Sequence, residues 1–312
     1  FAEVGYQEYK SSTLLKQQLL KEGFSIKENI ANIPTAFIAE YGNGSPVIAI
    51  LGEFDALPGM AQSASPFKEK YKNNKAGHAC GHHLFAAGST WASVAIKEWL
   101  NANKQQGTIR LYGTPAEEGG SGKVYMTRDG YFNDVDVVLH WHPGSANHAS
   151  PRTSNSNKSA KFRFKGISAH AASAPDKGRS ALDGVESMNM MVNLMREHIP
   201  QESRIHYVIT KGGLAPNVIP DEAEVYYYIR HPKRQMVQEL FNRVVKAAEG
   251  AALGTETDMS FEVIHGNYSL LPNNTLQKVM HNKLNSLGGI SYNSTEEVYA
   301  TALHSTLLKP IA

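Results

Sequence analysis

The chain has 312 residues, 41% of them hydrophobic, enough to fill one large core or two ordinary ones. Its net charge of +2, with Lys and Arg scattered along the sequence, excludes the basic stripe of a nucleic-acid or polybasic membrane protein. A single cysteine excludes an intrachain disulfide framework, no apolar run reaches membrane-spanning length and no signal-peptide pattern opens the sequence, so the expected location is the cytoplasm.

From Phe1 to Gly144 apolar strands alternate with helical patterns, which is the grammar of an α/β domain with a mostly parallel central sheet. Val47 to Leu51 reads as a buried strand that delivers Glu53-Phe54-Asp55-Ala56-Leu57-Pro58 just past its carboxyl end. His78-Ala79-Cys80-Gly81-His82-His83 then leads into a helix from about Leu84 to Leu100, with Leu84, Trp91, Val94, Ala95 and Trp99 on or near one face. Thr108 to Tyr112 is a second strand and delivers Glu117 and Glu118; Val135 to Leu139 is a third and delivers His140 and His142. A polar stretch from Gly144 to Asn157 has the composition of a linker. Beyond it come a strand at Ala160–Lys165, a helix bearing Val185, Met188, Met191, Val192 and Met195, strands at Arg204–Thr210 and Ala223–Ile229, a helix near Gln235–Leu253 and a strand at Asp258–Ile264. That β-α-β-β-α-β order is ferredoxin-like, so an α+β domain is expected to interrupt the α/β one, and the methionines are expected in its core or at a subunit contact. After Leu271-Pro272-Asn273 a helix from about Leu276 to Leu287 stops at Gly288-Gly289.

The chemistry-bearing groups follow the strands. In open α/β sheets, sites form beyond the carboxyl ends of the strands, where all three apolar strands here deliver potential ligands. A C-x-H spacing on a glycine turn can aim a thiolate and an imidazole at one centre, and Zn or a related ion accepts S, N and O ligands together. Neighbouring carboxylates allow one to bind metal while the other, held off it, deprotonates water. Thiol catalysis fits less well, because no separate base-and-orienter set accompanies Cys80.

Gly52 to Gly59, Gly77 to Leu84, Gly113 to Met126, Trp141-His142-Pro143, Phe164 to Ala172, Gly178 to Asp183, Gly212 to Pro220 and Tyr228-Ile229-Arg230 together resemble the metal-dependent aminoacylase and carboxypeptidase family that includes hippurate hydrolase and the indole-acetyl-amino-acid hydrolases. The resemblance implies a catalytic α/β domain over 1–154 and 267–312 and an inserted lid or dimerisation domain over 155–266. It also implies two divalent ions, Zn or Mn with Co as an alternative, with Cys80 bridging them and His82 and Glu118 as further ligands. Glu117 would be the general base and then the acid. His142, directly before proline, is the preferred next ligand, with His140 in its Leu-His-x-x-Pro context as the alternative. His78 and His83 are expected to pack around the centre, and Asp55 to orient a ligand, as metal-bound histidines usually require.

In the inserted domain, the resemblance gives His170 the role of stabilising the developing oxyanion, often in the other subunit's site. Asn217 and Arg230 would contact the substrate carboxylate, for which an Arg fork is chemically suited. The implied activity is hydrolysis of N-acyl or N-aroyl amino acids, with p-aminobenzoyl-glutamate favoured and a dipeptide as runner-up, in a homodimer or with a homologous second subunit. A non-catalytic partner subunit and a metal-storage or scaffold protein are the competing classes; Cys80, His82, Glu117 and Glu118 speak against the first, and the second would leave Glu117 unexplained. Family members carry a further histidine ligand in a later segment, and the sequence reaches Leu307-Leu308-Lys309-Pro310-Ile311-Ala312 before it. The expectation is a fragment clipped at both ends, in which His304 is a poor substitute ligand.

Overall fold

A computed structural model describes residues 1–307. Two compact units divide the chain, one formed by residues 1–149 with those from Val279 onward, the other by Ser150–Lys278. The final five positions of the expected second catalytic segment, 308–312, lie outside the described residues.

The first unit contains α1 (Tyr9–Lys21), β1 (Ser25–Glu28), β2 (Phe37–Asn43), β3 (Val47–Gly52), a small ladder of β4 (Leu57–Pro58) and β5 (Ala76–Gly77), α2 (His82–Asn103), β6 (Gly107–Gly113), α3 (Gly122–Arg128) and β7 (Val137–Leu139). Its main sheet has the order β1-β2-β6-β3-β7. The apolar run of β3 is explained by burial on both faces: Ile50 joins Leu19, Phe37 and Ile109 in one layer, whereas Ala49 and Leu51 join Phe85, Tyr112 and Met126 in the other. Strands β6 and β7 flank β3 and run parallel to it, so all three carboxyl ends emerge on the same edge. The sheet is mixed, because β1 pairs antiparallel with β2 and β2 antiparallel with β6. The reason lies in the short link from Asn43 to Val47, which reverses the chain; a parallel crossover needs a dozen or more residues.

The second unit contains β8 (Ser156–Lys165), α4 (Ala181–Met195), β9 (Arg204–Lys211), β10 (Glu222–His231), α5 (Arg234–Thr255) and β11 (Asp258–Asn267). Its sheet is antiparallel throughout, with the order β11-β8-β10-β9. Alternation along β10 sorts its side chains: Ala223, Val225, Tyr227 and Ile229 are buried against the helices, whereas Glu224, Tyr226, Tyr228 and Arg230 occupy the other face. Met188 lies in this core, and Met191 is exposed. Helices α6 (Asn274–Leu287) and α7 (Ser294–Ser305) complete the described chain. None of its helices is long and apolar enough to cross a membrane.

Candidate metal centre

The parallel edge of the first sheet gathers the side chains of three loops. Gly52, at the end of β3, accepts from the Thr114 amide at 2.9 Å and its hydroxyl at 3.1 Å, which ties the loop after β3 to the loop after β6. Gly81 adopts φ +81, a left-handed conformation that sets Cys80 before α2 and His82 in its first turn. A Cβ at this position would also lie 2.8 Å from the Pro143 ring, so the glycine lets the loop after β7 bring His142 against Cys80.

His82 is fully buried. Its Nδ1 lies 3.0 Å from Asp55 Oδ1 and 3.1 Å from the Asp55 carbonyl, both acceptors, so Nδ1 carries the proton and Nε2 presents a lone pair. Nε2 sits 3.1 Å from Glu53 Oε2 and 3.9 Å from Glu117 Oε2. The 3.1 Å approach is not aligned as a hydrogen bond: His82 Nε2, Glu53 Oε2 and Glu118 Oε1 are all buried and without a hydrogen-bond partner among the described residues. The ring of His142 donates through Nδ1 to the Pro143 carbonyl at 2.8 Å, so its Nε2 carries a lone pair, which accepts from the Cys80 thiol at 3.4 Å.

Two ligand sets result. Cys80, His82 and His142 form one, and Glu53, His82 and Glu117 the other, with the potential ligand atoms of each set within 4.8 Å of one another. Buried N and O lone pairs without donors among the described residues, with the Cys80 sulfur beside them, fit a divalent cation. The electrostatics agree. Burial, followed by the carboxylates of Glu118, Glu117 and Glu53, pushes the Cys80 thiol up to about 12, which keeps the metal-free group protonated, whereas a bound cation would favour its thiolate. Burial raises the Glu117 carboxyl too, helped by Glu53 and Glu118, in the direction that suits a base working near neutral pH. For His82, burial opposes protonation, but the Asp55 hydrogen bond and the charges of Asp55, Glu53 and Glu118 outweigh it and raise its pKa.

The structure thus gathers Cys80, His82, Glu117 and His142, with Asp55 as the acceptor behind His82. Glu118 stands outside both ligand sets, although its amide donates to Asp55 Oδ2 at 2.8 Å. His140 joins neither ligand set but faces one of its members: its Nε2 lies 3.6 Å from Glu53 Oε1 and its ring packs edge-on against Phe85. His78 and His83 contact each other at 4.8 Å between ring centroids. Two participants lie outside the expected set. Glu53 stands in the sequence only as part of a loop, and Lys123, whose Nζ lies 2.6 Å from Glu53 Oε1, follows a glycine-rich stretch with no chemical signature of its own.

The remaining residues belong to the second unit. His170 Nδ1 accepts from the amides of Ala172 and Ser173, each at 3.2 Å, so the proton resides on Nε2 and the ring offers an exposed donor. Asn217 is its neighbour: the Ala171 amide donates to the Asn217 carbonyl at 3.0 Å, and His170 bridges to Val218. Arg230 is not with them. Its guanidinium stacks 4.9 Å from the Tyr228 ring centroid, and among the described residues it has no carboxylate partner. In the β10–β8 register Glu222 pairs with Lys165, near the His170 turn, and Arg230 pairs with Asn157 at the opposite end. The eight residue steps from Glu222 to Arg230 span about 26 Å of strand.

A mixed sheet with a half-buried thiol beside a buried imidazole and carboxylate at its parallel edge is the arrangement of an α/β protein with a candidate metal site. Comparison with known sequences carries this further: the chain belongs to peptidase family M20/M25/M40, whose profile matches residues 49–303. It is 44% identical over 307 residues to one of the p-aminobenzoyl-glutamate hydrolase subunits of Escherichia coli (strain K12), covering 98% of this chain and 64% of that protein. It is 32% identical over 254 residues to the Xaa-Arg dipeptidase of Mus musculus, covering 78% of this chain and 55% of the relative. The chain therefore spans less than two thirds of the length of either relative. Among solved structures, a Bacillus subtilis dinuclear metal binding peptidase from the M20 family shares the fold, with a TM-score of 0.59 at 22% identity over 89% of this chain and 74% of that one.

Proposed function

We propose that this chain carries the catalytic centre of a metal-dependent amidohydrolase of N-acyl or N-aroyl amino acids, with p-aminobenzoyl-glutamate as the favoured substrate. The observation that carries the reading is the buried pair of His82 Nε2 and Glu53 Oε2, 3.1 Å apart and without a hydrogen-bond partner among the described residues, with Glu117 Oε2 3.9 Å from the same nitrogen. Cys80, His82, His142 and Glu118 would hold two divalent ions, Zn or Mn with Co as an alternative. Such ions, when bound, supply Lewis-acid polarisation of the amide and ease the ionisation of water. Glu117 takes the proton of the attacking water and returns it to the departing amine, a use for which its raised pKa is suited. His170 donates through Nε2–H to the oxygen on which negative charge builds. Asn217 and Arg230 bind the substrate carboxylate, Arg230 through a guanidinium plane that Tyr228 supports.

The second unit serves in this proposal as the lid and dimerisation domain, over about 155–266. His170 and Arg230 stand at opposite ends of one sheet, farther apart than a single acyl amino acid extends. If both act on one substrate they come from different copies, which favours a homodimer, or a pair with a homologous second subunit. The similarity to a protein that is itself named as a hydrolase subunit supports the same reading, and the cytoplasm is the location proposed.

Metal removal tests the proposal. In the full-length protein, chelation is expected to abolish hydrolysis of p-aminobenzoyl-glutamate in a panel of acyl amino acids and dipeptides, and Zn, Mn or Co to restore it. Glu117→Gln should retain metal and lower turnover by roughly 10²- to 10⁴-fold. Full activity in the stripped protein would overturn the mechanism.

A further inference from the structure

The turn bearing Glu117 is braced from a side that the proposed chemistry does not use. Ala116 adopts φ +56, a left-handed conformation that an L-residue with a Cβ keeps only when its surroundings impose it. The surroundings come from the start of the chain. The Ala56 amide donates to the Glu3 carbonyl at 2.8 Å and Val4 forms a parallel bridge with Ala56, which fixes the segment before α1 against the loop after β3. Gly5 then passes so close to Ala116 that a Cβ on it would lie 3.0 Å from the Ala116 Cα and Cβ. The Tyr6 hydroxyl donates to the Gly120 carbonyl at 2.5 Å. Glu8, fully buried, accepts the Ala116 amide on Oε1 at 2.9 Å and the Thr35 hydroxyl on Oε2 at 2.9 Å.

We infer that Glu8 is a positioning residue for Glu117. Its carboxylate clamps the amide of the residue before Glu117, as Asp55 clamps the amide of the residue after it. Glu117 is thus suspended between two buried acceptors, and its own carboxylate is left free to face His82 Nε2 at 3.9 Å. Without the Glu8 bond the Ala116 amide loses its acceptor, leaving the Gly120 bond to its carbonyl at 3.1 Å and the Gly5 contact to hold the positive φ, and relaxation there swings the next side chain. Displacement of a reacting group by about 1 Å can lower turnover by about 10²-fold. The inference rests on the reading of Glu117 as the base, although the clamp itself can be observed without it.

The test compares wild type with Glu8→Ala, Glu8→Asp, Glu8→Gln and Thr35→Val in the full-length, metal-loaded protein. It reads kcat and KM per metal-loaded chain for p-aminobenzoyl-glutamate, together with hydrogen exchange at the Ala116 amide. Glu8→Ala is expected to lower kcat roughly ten- to a hundredfold with KM within about threefold, and to speed Ala116 exchange at least about tenfold. Glu8→Asp keeps the charge but withdraws the acceptor by one methylene, and carries the same expectation where Glu8→Ala does not fold. Glu8→Gln retains an oxygen for the Ala116 amide and an NH₂ for the Thr35 oxygen, so it should restore kcat to within about threefold of wild type. Thr35→Val loosens the other side of Glu8 and should leave kcat unchanged even where it lowers stability. Wild-type kcat in both Glu8→Ala and Glu8→Asp, a loss in Glu8→Gln as large as in Glu8→Ala, or an equal loss in Thr35→Val would each overturn the inference. Full turnover in Glu117→Gln would overturn the base assignment instead, leaving Ala116 exchange to report the clamp.

Discussion

Removing the Lys123 ammonium tests how the buried negative charge of the centre is balanced. Glu53 is 2% exposed, with Lys123 Nζ 2.6 Å from Oε1, His140 Nε2 at 3.6 Å and His82 Nε2 3.1 Å from Oε2. Burial by itself would raise its pKa, but His140, Lys123 and His82 together overcome this and hold the carboxyl down at about 2. A carboxyl whose pKa is lower in the folded than in the unfolded state stabilises the fold above its unfolded pKa of about 4.3. That contribution is lost as pH falls through about 2. The gap is worth about 3 kcal/mol in the metal-free protein. His82 does not obscure the window, because its raised pKa leaves it protonated in both states below about pH 5. Lys123→Met strands a buried carboxylate, and since the Lys123 side chain is 29% exposed the penalty at pH 7 should be about 2 kcal/mol, below that for a fully buried pair. Urea unfolding of metal-stripped wild type and variant from pH 7 down to 3 measures it. The difference between them should shrink below about pH 4, and Glu53→Gln should recover most of the loss in the double variant. A penalty that is the same at every pH would refute the reasoning.

Glu118→Ala should bind less than half the metal of wild type, by elemental analysis of dialysed protein; normal content would remove Glu118 from the ligand set. His142→Ala should lose metal likewise, whereas His140→Ala should retain it, and the opposite pattern would exchange the two histidines. His170→Ala should lower kcat more than it changes KM, and mixing it with Glu117→Gln should recover activity through heterodimers carrying one intact site. No recovery from confirmed mixed dimers would confine His170 to its own subunit.

Much of the fold and site was legible where local pattern and tertiary role coincide. Val47 to Leu51 is continuously apolar because both faces of β3 are covered, and its parallel neighbours deliver their loops to the same edge, so Asp55, Glu117 and His142 could be grouped before any geometry was known. The antiparallel β1 and β2 left no comparable trace, since a short reversal after Asn43 decides their direction. Arg230 shows a different limit. Its motif and its chemistry were both readable, but its distance from His170 follows from strand register, which depends on pairing across the sheet. Lys123 and Glu8 were invisible for a simpler reason: each sits in an unremarkable local context and acts on a partner 70 or 108 residues away.

That long-range bracing bears on how the separate roles proposed for two adjacent glutamates would be kept apart. Side chains of consecutive residues diverge on any backbone, but they keep distinct duties only if the turn beneath them is fixed. Asp55 fixes one side twice over, since Oδ1 accepts from His82 Nδ1 at 3.0 Å while Oδ2 accepts the Glu118 amide at 2.8 Å. One carboxylate therefore sets both the tautomer that frees His82 Nε2 and the backbone position from which Glu118 extends. Glu8 fixes the other side through Ala116. Because the two acids reach the turn from the loop after β3 and from the start of the chain, the angle at which Glu117 meets His82 is a property of the whole first unit, not of the Glu-Glu pair alone.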